Sequence, residues 1–461
     1  MTRRGAAVGR MTRRGAAVGR MTRRGAAITL GIAVGAAFGA AAPTYSQTES
    51  AMSVAERIVR IDRLDPTLKA FITIIRPPDA PVAGVLAGRI AAIKGNLAVA
   101  GVVTTAGSKR LLGRAVSAPA DATSVARLRA AGAVIVGTTN LDTFARGTST
   151  ISEVRGATVN PLDPTRSPSG SSGGSAVAVK TEMADIALGT DTCGSLRYPA
   201  AAVQVVGLRP TPGLVSRAGL VPLAPSYDVV GPIARDVATL SIALSTIAGA
   251  DAADPLTVAA PRFTPESSPP NDGSAPRFRI GVLDRLVAGA DRPIRQAIAR
   301  TLDRIEDAPT IGLDLVHLDW SAPPAGLVIE DEFGPALAVW EAGGDWMGRL
   351  PVKDTKGYRD RLEQGLRSRA RIVDLLDDHR LDAIAYPSNR YAPARVGRRG
   401  PSDYCQMAAA AGLPALSVPV GYPAGFELLG RPFSEARLLA IGREIEKTTG
   451  PAPPTTGGAT P

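Results

Sequence analysis

The order of predicted elements indicates an α/β protein, in which helices cover both faces of a sheet. Short apolar runs typical of strands alternate with amphipathic helical segments through most of the chain. The chain has 461 residues, of which 45% are hydrophobic but only 4% aromatic. A core built from Ala, Val, Leu and Ile suits helices packed against a sheet, and a chain of this length can bury a large core.

The strand–helix–strand rhythm begins near residue 51. Strands are predicted at 71–75, 89–93, 133–137, 186–189, 203–208, 278–283, 313–318, 383–386, 416–420 and 426–429. Helices are predicted at 51–64, 120–132, 175–183, 195–201, 234–247, 294–305, 329–346, 358–378 and 435–448. A turn is predicted at 77–81, a Pro- and Ser-rich surface excursion at 251–276, and a disordered tail at 451–461.

Residues 1–42 resemble a targeting segment rather than part of the fold. Met-Thr-Arg-Arg-Gly-Ala-Ala occurs three times, and an Ala- and Gly-rich apolar run follows. This pattern predicts a secretory signal that is removed, leaving an exported protein with a domain at 43–450. A membrane-anchoring helix is the alternative, although the run is short for a stable span. Arg23-Arg24 is a weak indication of the twin-arginine route, and Met1, Met11 and Met21 are all candidate starts.

The net charge of +11 is concentrated in the same segment. Residues 1–42 carry eight Arg and no acidic residue, so 11 − 8 leaves +3 for the rest of the chain. A basic protein would otherwise suggest a nucleic-acid partner. The balance of the remaining chain predicts no nucleic-acid binding.

Three segments stand out chemically: the apolar run that ends at Lys94, the loop Gly170–Ser175, and the turn Gly189–Ser195. The loop alone could be a flexible turn with a helix cap, and it lacks the Gly-Lys-Ser/Thr ending of a phosphate-binding loop. Ser195 could be a plain helix N-cap, and Lys94 could reach the surface. Together, the segments indicate a serine hydrolase. With only two His in the chain, a desolvated Lys is the remaining way to activate a serine.

Ser195 follows a predicted strand and opens a predicted helix. Backbone N–H groups and the positive end of that helix would therefore surround its hydroxyl. Two Cys give no disulfide framework. Export would permit one bridge, but because Cys193 lies in this turn we expect Cys193 and Cys405 to be free thiols. His317 and His379 are far from the motifs, so we expect no metal site.

The motifs and their order resemble the amidase signature family, whose members use a Ser–Ser–Lys triad on amide bonds. The resemblance covers about residues 51–449 and is carried by Lys94, Thr105–Ser108, Ala131–Asn140, Asn160-Pro161, Ser169–Ser175, Gly189–Arg197, Tyr227–Arg235, Gly412–Pro419 and Leu429–Phe433. It implies one α/β/α domain around a central mixed sheet. It also implies no metal or organic cofactor and a small-molecule amide substrate. Because the apolar run that precedes residue 43 is short, we expect no stable membrane span after processing. The oligomeric state stays open, a homodimer included.

The resemblance implies a role for each site residue. Ser195 would be the acyl-enzyme nucleophile, Ser171 the bridging serine after a cis Gly170–Ser171 bond, and Lys94 the base. The oxyanion hole would use the backbone amides of Thr192, Cys193, Gly194 and Ser195. The supporting residues would be Gly170, Ser172, Gly173, Asp191 and Arg197.

Three positions depart from the family pattern. Gly95 stands where Asp is usual, Ser169 replaces the first Gly of the loop, and Cys193 replaces a common Gly. Trp340, Trp346 and Tyr391 could line the substrate pocket or simply pack.

We expect an exported amidase that releases an acid and an amine or ammonia. One rival is a glutamine-hydrolysing subunit of an amidotransferase, against which we set export and a tail that is short for tRNA or subunit contacts. The other rival is a non-catalytic binding protein on the same fold, against which we set the intact triad.

Overall fold

A mixed sheet runs through the centre of the protein. This is a computed structural model, and it describes residues 52–77, 83–265, 277–308, 310–321, 325–348, 350–401 and 404–449. In chain order, the strands are β1 (Phe71–Ile74), β2 (Ile90–Lys94), β3 (Val134–Thr139), β4 (Ile151–Ser152), β5 (Gly156–Ala157), β6 (Ile186–Asp191), β7 (Val206–Arg209), β8 (Val229–Ala234), β9 (Phe278–Leu283), β10 (Leu313–Leu318), β11 (Ala383–Pro387), β12 (Ala415–Pro419) and β13 (Gly425–Leu429).

The helices occupy most of the segments between strands. They are α1 (Val54–Leu68), α2 (Lys109–Gly113), α3 (Thr123–Ala130), α4 (Gly173–Lys180), α5 (Arg197–Val203), α6 (Val237–Ile247), α7 (Asp284–Gly289), α8 (Arg292–Glu306), α9 (Ile329–Glu341), α10 (Lys356–Asp378), α11 (Cys405–Ala411) and α12 (Glu435–Thr449). Ser53 starts α1 with a capping box, because its hydroxyl accepts the Glu56 N–H while Glu56 accepts the N–H of Ser53.

Within the described residues, eleven strands form the main sheet in the order β1-β3-β2-β6-β8-β7-β12-β13-β11-β9-β10, and β4 and β5 form a separate hairpin. Strand β2 is parallel to β3 and β6, and β9 is parallel to β10 and β11, whereas the other neighbours are antiparallel. Because β2 and β6 are adjacent and parallel, their carboxyl ends meet at one edge. That edge is where Lys94 and Asp191 lie.

Both faces of the sheet are covered, which confirms the α/β/α prediction. Along β2, Ala91 and Ile93 belong to one apolar cluster, and Ile90 and Ala92 belong to another. The first cluster includes side chains of α3, α6, α8 and α12, and the second includes side chains of α1, α4 and α5. All five residues of β2 are buried, so its near-continuous apolar sequence fits a strand between two layers.

Most element predictions are confirmed, with ends shifted by a few residues. Strand β8 was not predicted, because Gly231 and Pro232 interrupt its apolar run and proline is unfavourable inside a sheet. The predicted signal segment 1–42, the tail 451–461, most of the turn 77–81 and the end of the excursion 251–276 lie outside the described residues. Among the residues described, no helix combines the length and apolarity needed to cross a membrane.

Candidate active site

Lys94 is fully buried at the end of β2, and its ammonium nitrogen has three polar neighbours. Nζ lies 2.8 Å from Ser171 Oγ, 2.8 Å from Thr190 Oγ1 and 3.2 Å from the Thr190 carbonyl oxygen. A neutral amine has two hydrogens and one lone pair. It can donate to both Thr190 oxygens and accept from the Ser171 hydroxyl, so the site satisfies the neutral form completely.

Burial lowers the pKa of Lys94 from its usual 10.5 to about 7. Asp142, Asp191 and Asp228 raise this pKa, but desolvation has the larger effect. Among the hydrogen-bond partners of Nζ in the described part of the chain, there is no carboxylate. The three aspartates instead use their oxygens on backbone amides, hydroxyls and guanidinium groups, so Lys94 can be neutral near pH 7.

The Gly/Ser loop brings Ser171 to Lys94. The Gly170–Ser171 peptide bond is cis, as the resemblance implies. Ser172 Oγ donates to the Thr190 carbonyl at 3.2 Å, and the Ser172 N–H donates to the Ser195 carbonyl at 3.2 Å. The loop is therefore bonded both to the end of β6 and to the turn that follows it.

Glycines in this loop are required by close packing. A Cβ on Gly170 would lie 2.4 Å from an Asp142 oxygen, and one on Gly173 would lie 2.2 Å from Thr150 Oγ1. Ser169 has a φ of +59°, a left-handed conformation that glycine adopts most easily. This explains why Gly is usual at the position that Ser169 occupies here.

Packing also bears on Gly95, where Asp is usual in the family. A Cβ at Gly95 would lie 2.9 Å from the Thr139 carbonyl oxygen, so Asp would need the backbone to shift.

Asp142, which was not predicted, supports the Gly/Ser loop through Thr150. Its carboxylate accepts the N–H groups of Ser149, Thr150 and Ile151 at 2.8 to 3.2 Å. Thr150 Oγ1 in turn donates to the Ser169 carbonyl at 2.7 Å and accepts the Gly173 N–H at 2.9 Å. Burial raises the pKa of Asp142. In the sequence, Asp142 is marked only by its position two residues after Asn140, which ends the family motif Ala131–Asn140.

Ser195 does not open a helix, contrary to prediction. Helix α5 begins two residues later, at Arg197, and has seven residues. The reason is Asp191, whose side chain accepts the N–H of Gly194 at 2.9 Å and that of Leu196 at 3.1 Å. These bonds fold residues 191–196 into a side-chain-capped turn. Ser195 lies in that turn and is 5% exposed.

Three of the four predicted oxyanion donors remain candidates. The N–H of Gly194 already donates to Asp191 Oδ1, so this amide supports the turn. Thr192, Cys193 and Ser195 line the same cavity, which has a volume of about 440 Å³. As residues that line the cavity with Ser195, they are the remaining candidates to donate their backbone N–H groups to a negative oxygen there.

A buried cluster of charges holds the turn in place. Arg197 and Arg209 both bond the Asp191 carboxylate, with distances of 3.0 to 3.2 Å, and Arg209 also donates to the Asp191 carbonyl at 2.6 Å. Arg197 pairs in addition with Glu427 of β13. All four side chains are fully buried, and the two guanidinium groups hold the pKa of Asp191 far below its usual value despite burial. Arg209 and Glu427 were not predicted.

Thr192 is anchored on the other side of the turn. Its hydroxyl donates to Asp228, which also accepts the N–H groups of Leu223 and Ala224 at 2.8 and 2.9 Å. Burial raises the pKa of Asp228 to about 6. Two carboxylates therefore hold the turn: Asp191 binds backbone amides of the turn, and Asp228 binds the Thr192 hydroxyl.

The prediction of two free thiols is wrong, because Cys193 and Cys405 form a disulfide. The residues are 212 apart in sequence, but their Cα atoms lie 5.0 Å apart. Helix α11 begins at Cys405 and brings its sulfur to the turn. Nothing in the sequence indicated that these two segments meet, since α11 was not predicted.

The walls of the cavity at Ser195 come from other parts of the chain. The apolar wall consists of Ala145, Leu223, Leu327 and Ile329. Three charged residues line the rim: Arg146, Glu330 and Arg399. Arg146 pairs with Glu330 and lies 5.5 Å from the ring of Phe333. None of these residues was predicted.

The aromatic candidates do not line this cavity. Trp346 is 3% exposed and packs in the core under Arg217, and Trp340 is partly buried against the same core. Tyr391 lies beside a small separate cavity with Thr148 and Ser169. In the described residues, no group of three or more His, Cys, Asp or Glu side chains is arranged to hold a metal ion.

A family model described as Amidase matches residues 56–330. This chain belongs to the amidase signature family. It is an enzyme of the class that hydrolyses amide C–N bonds.

Relatives of this family are similar over almost their whole length. The A subunit of a glutamyl-tRNA(Gln) amidotransferase from Thermus thermophilus is 35% identical over 442 residues, covering 85% of this chain and 92% of the relative. Its counterpart from Natronomonas pharaonis is 36% identical over 424 residues, covering 82% and 99%. The solved peptide amidase from Stenotrophomonas maltophilia is 30% identical with a TM-score of 0.73, covering 87% and 94%. This chain is thus similar both to amidotransferase subunits and to a peptide amidase.

Proposed function

We propose that this enzyme hydrolyses a carboxylic amide through an acyl intermediate on Ser195, with Ser171 and Lys94 as the proton relay. The contact between Lys94 Nζ and Ser171 Oγ at 2.8 Å carries the proposal. A buried lysine with a pKa of about 7 is a base at neutral pH. Neither histidine of the described chain lies at the site to take that part.

The reaction follows from these groups. Neutral Lys94 accepts the Ser171 proton while Ser171 accepts the Ser195 proton, and Ser195 Oγ attacks the amide carbon. The amides of Thr192, Cys193 and Ser195 stabilise the negative oxygen. The proton then returns by the same relay to the leaving nitrogen, and the C–N bond breaks. Water releases the acid from Ser195 by the reverse sequence of proton transfers.

The substrate class is the finer question. The amidotransferase relatives favour a glutamine-hydrolysing subunit, which would act with partner subunits and pass ammonia on. The Cys193–Cys405 disulfide favours an exported, stand-alone amidase, since disulfides persist mainly in oxidising compartments. The Arg-rich residues 1–42 favour export as well. The main function that we propose is therefore an exported amidase, freed of its signal segment, and the second is the glutamine-hydrolysing subunit.

One experiment separates the two. The protein from residue 43 onward is purified in oxidised form and assayed on aliphatic, aryl and peptide amides and on glutamine, with ammonia or amine release as the signal. Turnover of an amide by the chain alone supports the amidase. Hydrolysis of glutamine that appears only when amidotransferase partner subunits are added supports the second function. A fluorophosphonate probe that labels a serine other than Ser195 would refute both mechanisms.

Export is tested separately by mass spectrometry of the N-terminus in the producing cells. A mature chain that begins near residue 43 outside the cytoplasm supports the proposal. An intact Met1, Met11 or Met21 in that fraction contradicts removal of the segment.

A further inference from the structure

We propose that the Cys193–Cys405 disulfide positions the oxyanion turn, and that the enzyme needs this bond for full turnover. The inference rests on the function proposed above, because it assigns the amides of the turn to the negative oxygen of the reaction. It makes Cys405 a positioning residue, although Cys405 is 1% exposed and does not line the cavity.

The bond connects two distant parts of the chain at the site itself. Cys193 lines the cavity next to Ser195, whereas Cys405 is the first residue of α11, 212 residues later. Helix α11 packs against α10 and contributes Met407 and Ala408 to an apolar cluster. The turn is therefore tied to a well-packed helix rather than to another loop.

A second connection runs beside the disulfide. Tyr198 accepts the N–H of Cys405 with its hydroxyl at 3.1 Å. The ring of the same tyrosine packs against Gly194, where a Cβ would lie only 2.8 Å from ring carbons. Gly194 has a φ of +87°, which keeps the backbone of the turn close to that ring. The disulfide, the hydrogen bond and the ring contact thus connect four residues in a ring: Cys193, Gly194, Tyr198 and Cys405.

The disulfide holds the middle of the turn, whereas hydrogen bonds hold the residues on either side. Gly194 is bonded through its N–H to Asp191 and through its carbonyl to the Tyr198 N–H, and the Ser195 carbonyl accepts the Ser172 N–H. Thr192 is anchored by its side chain to Asp228. Between them, the side chain of Cys193 is held by its sulfur. Loss of this bond would let the Cys193 peptide reorient, and preorganised donors matter most in the transition state.

The chemistry of the test is simple reduction. Dithiothreitol supplies two electrons and two protons, the S–S bond becomes two thiols, and the reagent becomes a cyclic disulfide. We expect kcat to fall by about 10- to 100-fold, less than the loss from removing an oxyanion donor outright. KM should change by less than about twofold, because the amides act on the transition state rather than on the bound amide. Reoxidation should restore the rate.

The experiment compares the oxidised and reduced wild type with Cys405→Ser and with Cys193→Ala/Cys405→Ala. Active sites are counted with a fluorophosphonate, and kcat is expressed per labelled site. Reduced wild type and both variants should share one low kcat, and dithiothreitol should not change Cys405→Ser further. Thiol titration of the unfolded protein verifies complete reduction.

Two outcomes overturn the proposal. One is a fully reduced wild type with the kcat of the oxidised enzyme. The other is a loss in the number of labelled sites with an unchanged kcat per site, which would mean that the bond only stabilises the fold. Ser195→Ala distinguishes these outcomes from failure of the proposed function. If Ser195→Ala still hydrolyses the amide, the triad assignment falls as well; if it is inactive, only the positioning role falls.

Discussion

The floor and the rim of the active-site cavity are built in opposite ways. By the floor we mean Ser195, which lines the cavity, together with Lys94 and Ser171, which are fully buried and hydrogen-bonded to each other. The rim contains Arg146, Glu330 and Arg399, of which Arg399 is exposed and Glu330 lies in the first turn of α9. In the function that we propose, the floor determines which bond breaks, and the rim meets the variable part of the substrate. Substitutions should therefore have unequal effects in the two regions.

The largest effect is expected for the nucleophile. Ser195→Ala should lower kcat by at least about 10⁴-fold, as removal of a single triad member does in other hydrolases. Ser245→Ala on α6 is the matched control, because Ser245 is exposed and, in the part of the chain that the structure describes, its hydroxyl bonds within its own helix, to the Ser241 carbonyl. Initial rates of amide hydrolysis measure the difference. Activity of Ser195→Ala within tenfold of the wild type would place the nucleophile elsewhere.

The next effect concerns the base. Lys94→Arg should retain less than about a tenth of the wild-type rate, a loss of more than about 1.4 kcal/mol, because arginine stays protonated. Lys94→Ala should lose several orders of magnitude of rate. Lys180→Met is the control, since Lys180 is also buried, with a pKa lowered mainly by desolvation, but lies in α4 away from the cavity. It should keep the wild-type kcat, so that a loss in both variants would count against a special role for Lys94.

The pH dependence follows from the same lysine. With a folded-state pKa of about 7, Lys94 is protonated and inactive at lower pH, so kcat/KM should rise through about pH 7 and level off above it.

The same pKa shift makes the free energy of unfolding depend on pH. The unfolded chain binds the Lys94 proton up to about pH 10.5. The cost of burying Lys94 is therefore complete below pH 7 and decreases as pH rises above it. Lys94→Met should therefore be more stable than wild type at pH 6, by a margin that shrinks toward pH 10. Denaturant titrations at the two pH values measure this margin.

A smaller effect, on stability rather than on rate, is expected from the buried charge cluster around Asp191. Asp191→Asn leaves Arg197 and Arg209 buried without their shared carboxylate, and should lower the free energy of unfolding by about 3–5 kcal/mol. Asp62→Asn removes an exposed pair with Arg76 and should cost less than about 1 kcal/mol. Thermal or urea unfolding compares the two. Equal losses would show that the buried cluster contributes no more than a surface pair.

The smallest effect is expected at the rim. Arg399→Ala should change KM by less than about tenfold and leave kcat unchanged, because an exposed charge interacts weakly through water. Amides with acidic, neutral and basic acyl groups should be compared, since removal of a positive charge should weaken only the acidic ones. A uniform fall in kcat across all three would mean that Arg399 belongs functionally to the floor.

The floor was more predictable from the sequence than the rim, for a physical reason. Lys94, the loop at Ser171 and the turn at Ser195 occur in short segments whose chemistry is unusual by itself: a lysine in an apolar strand, and runs of Gly and Ser. Their meeting follows from the parallel arrangement of β2 and β6. Rim residues are ordinary charged side chains, and only the fold brings Arg146 and Arg399 together.

The errors in the prediction have a similar origin. Asp191 captures the amides of Gly194 and Leu196 and delays the start of α5, which periodicity cannot show. The disulfide depends on the location of α11 relative to the turn. Glu427 pairs with Arg197 from 230 residues away in sequence. Each case is a long-range contact or a side-chain bond that replaces the local preference of the chain.

Close packing in the Gly/Ser loop and in β6 also limits how this enzyme can diversify. A Cβ would collide with backbone or fixed side chains at Gly170, Gly173, Gly174 and Gly189, with nearest atoms 2.2 to 2.7 Å away. In a library that randomises these four positions together with the cavity, variants at the four glycines should be eliminated by selection for folding before any substrate is offered. New substrate ranges should instead accumulate around α9 and residue 399, where side chains can change without disturbing the reacting groups. The protein thus combines a rigid centre with an adaptable entrance in one domain, and directed evolution can be restricted to the entrance.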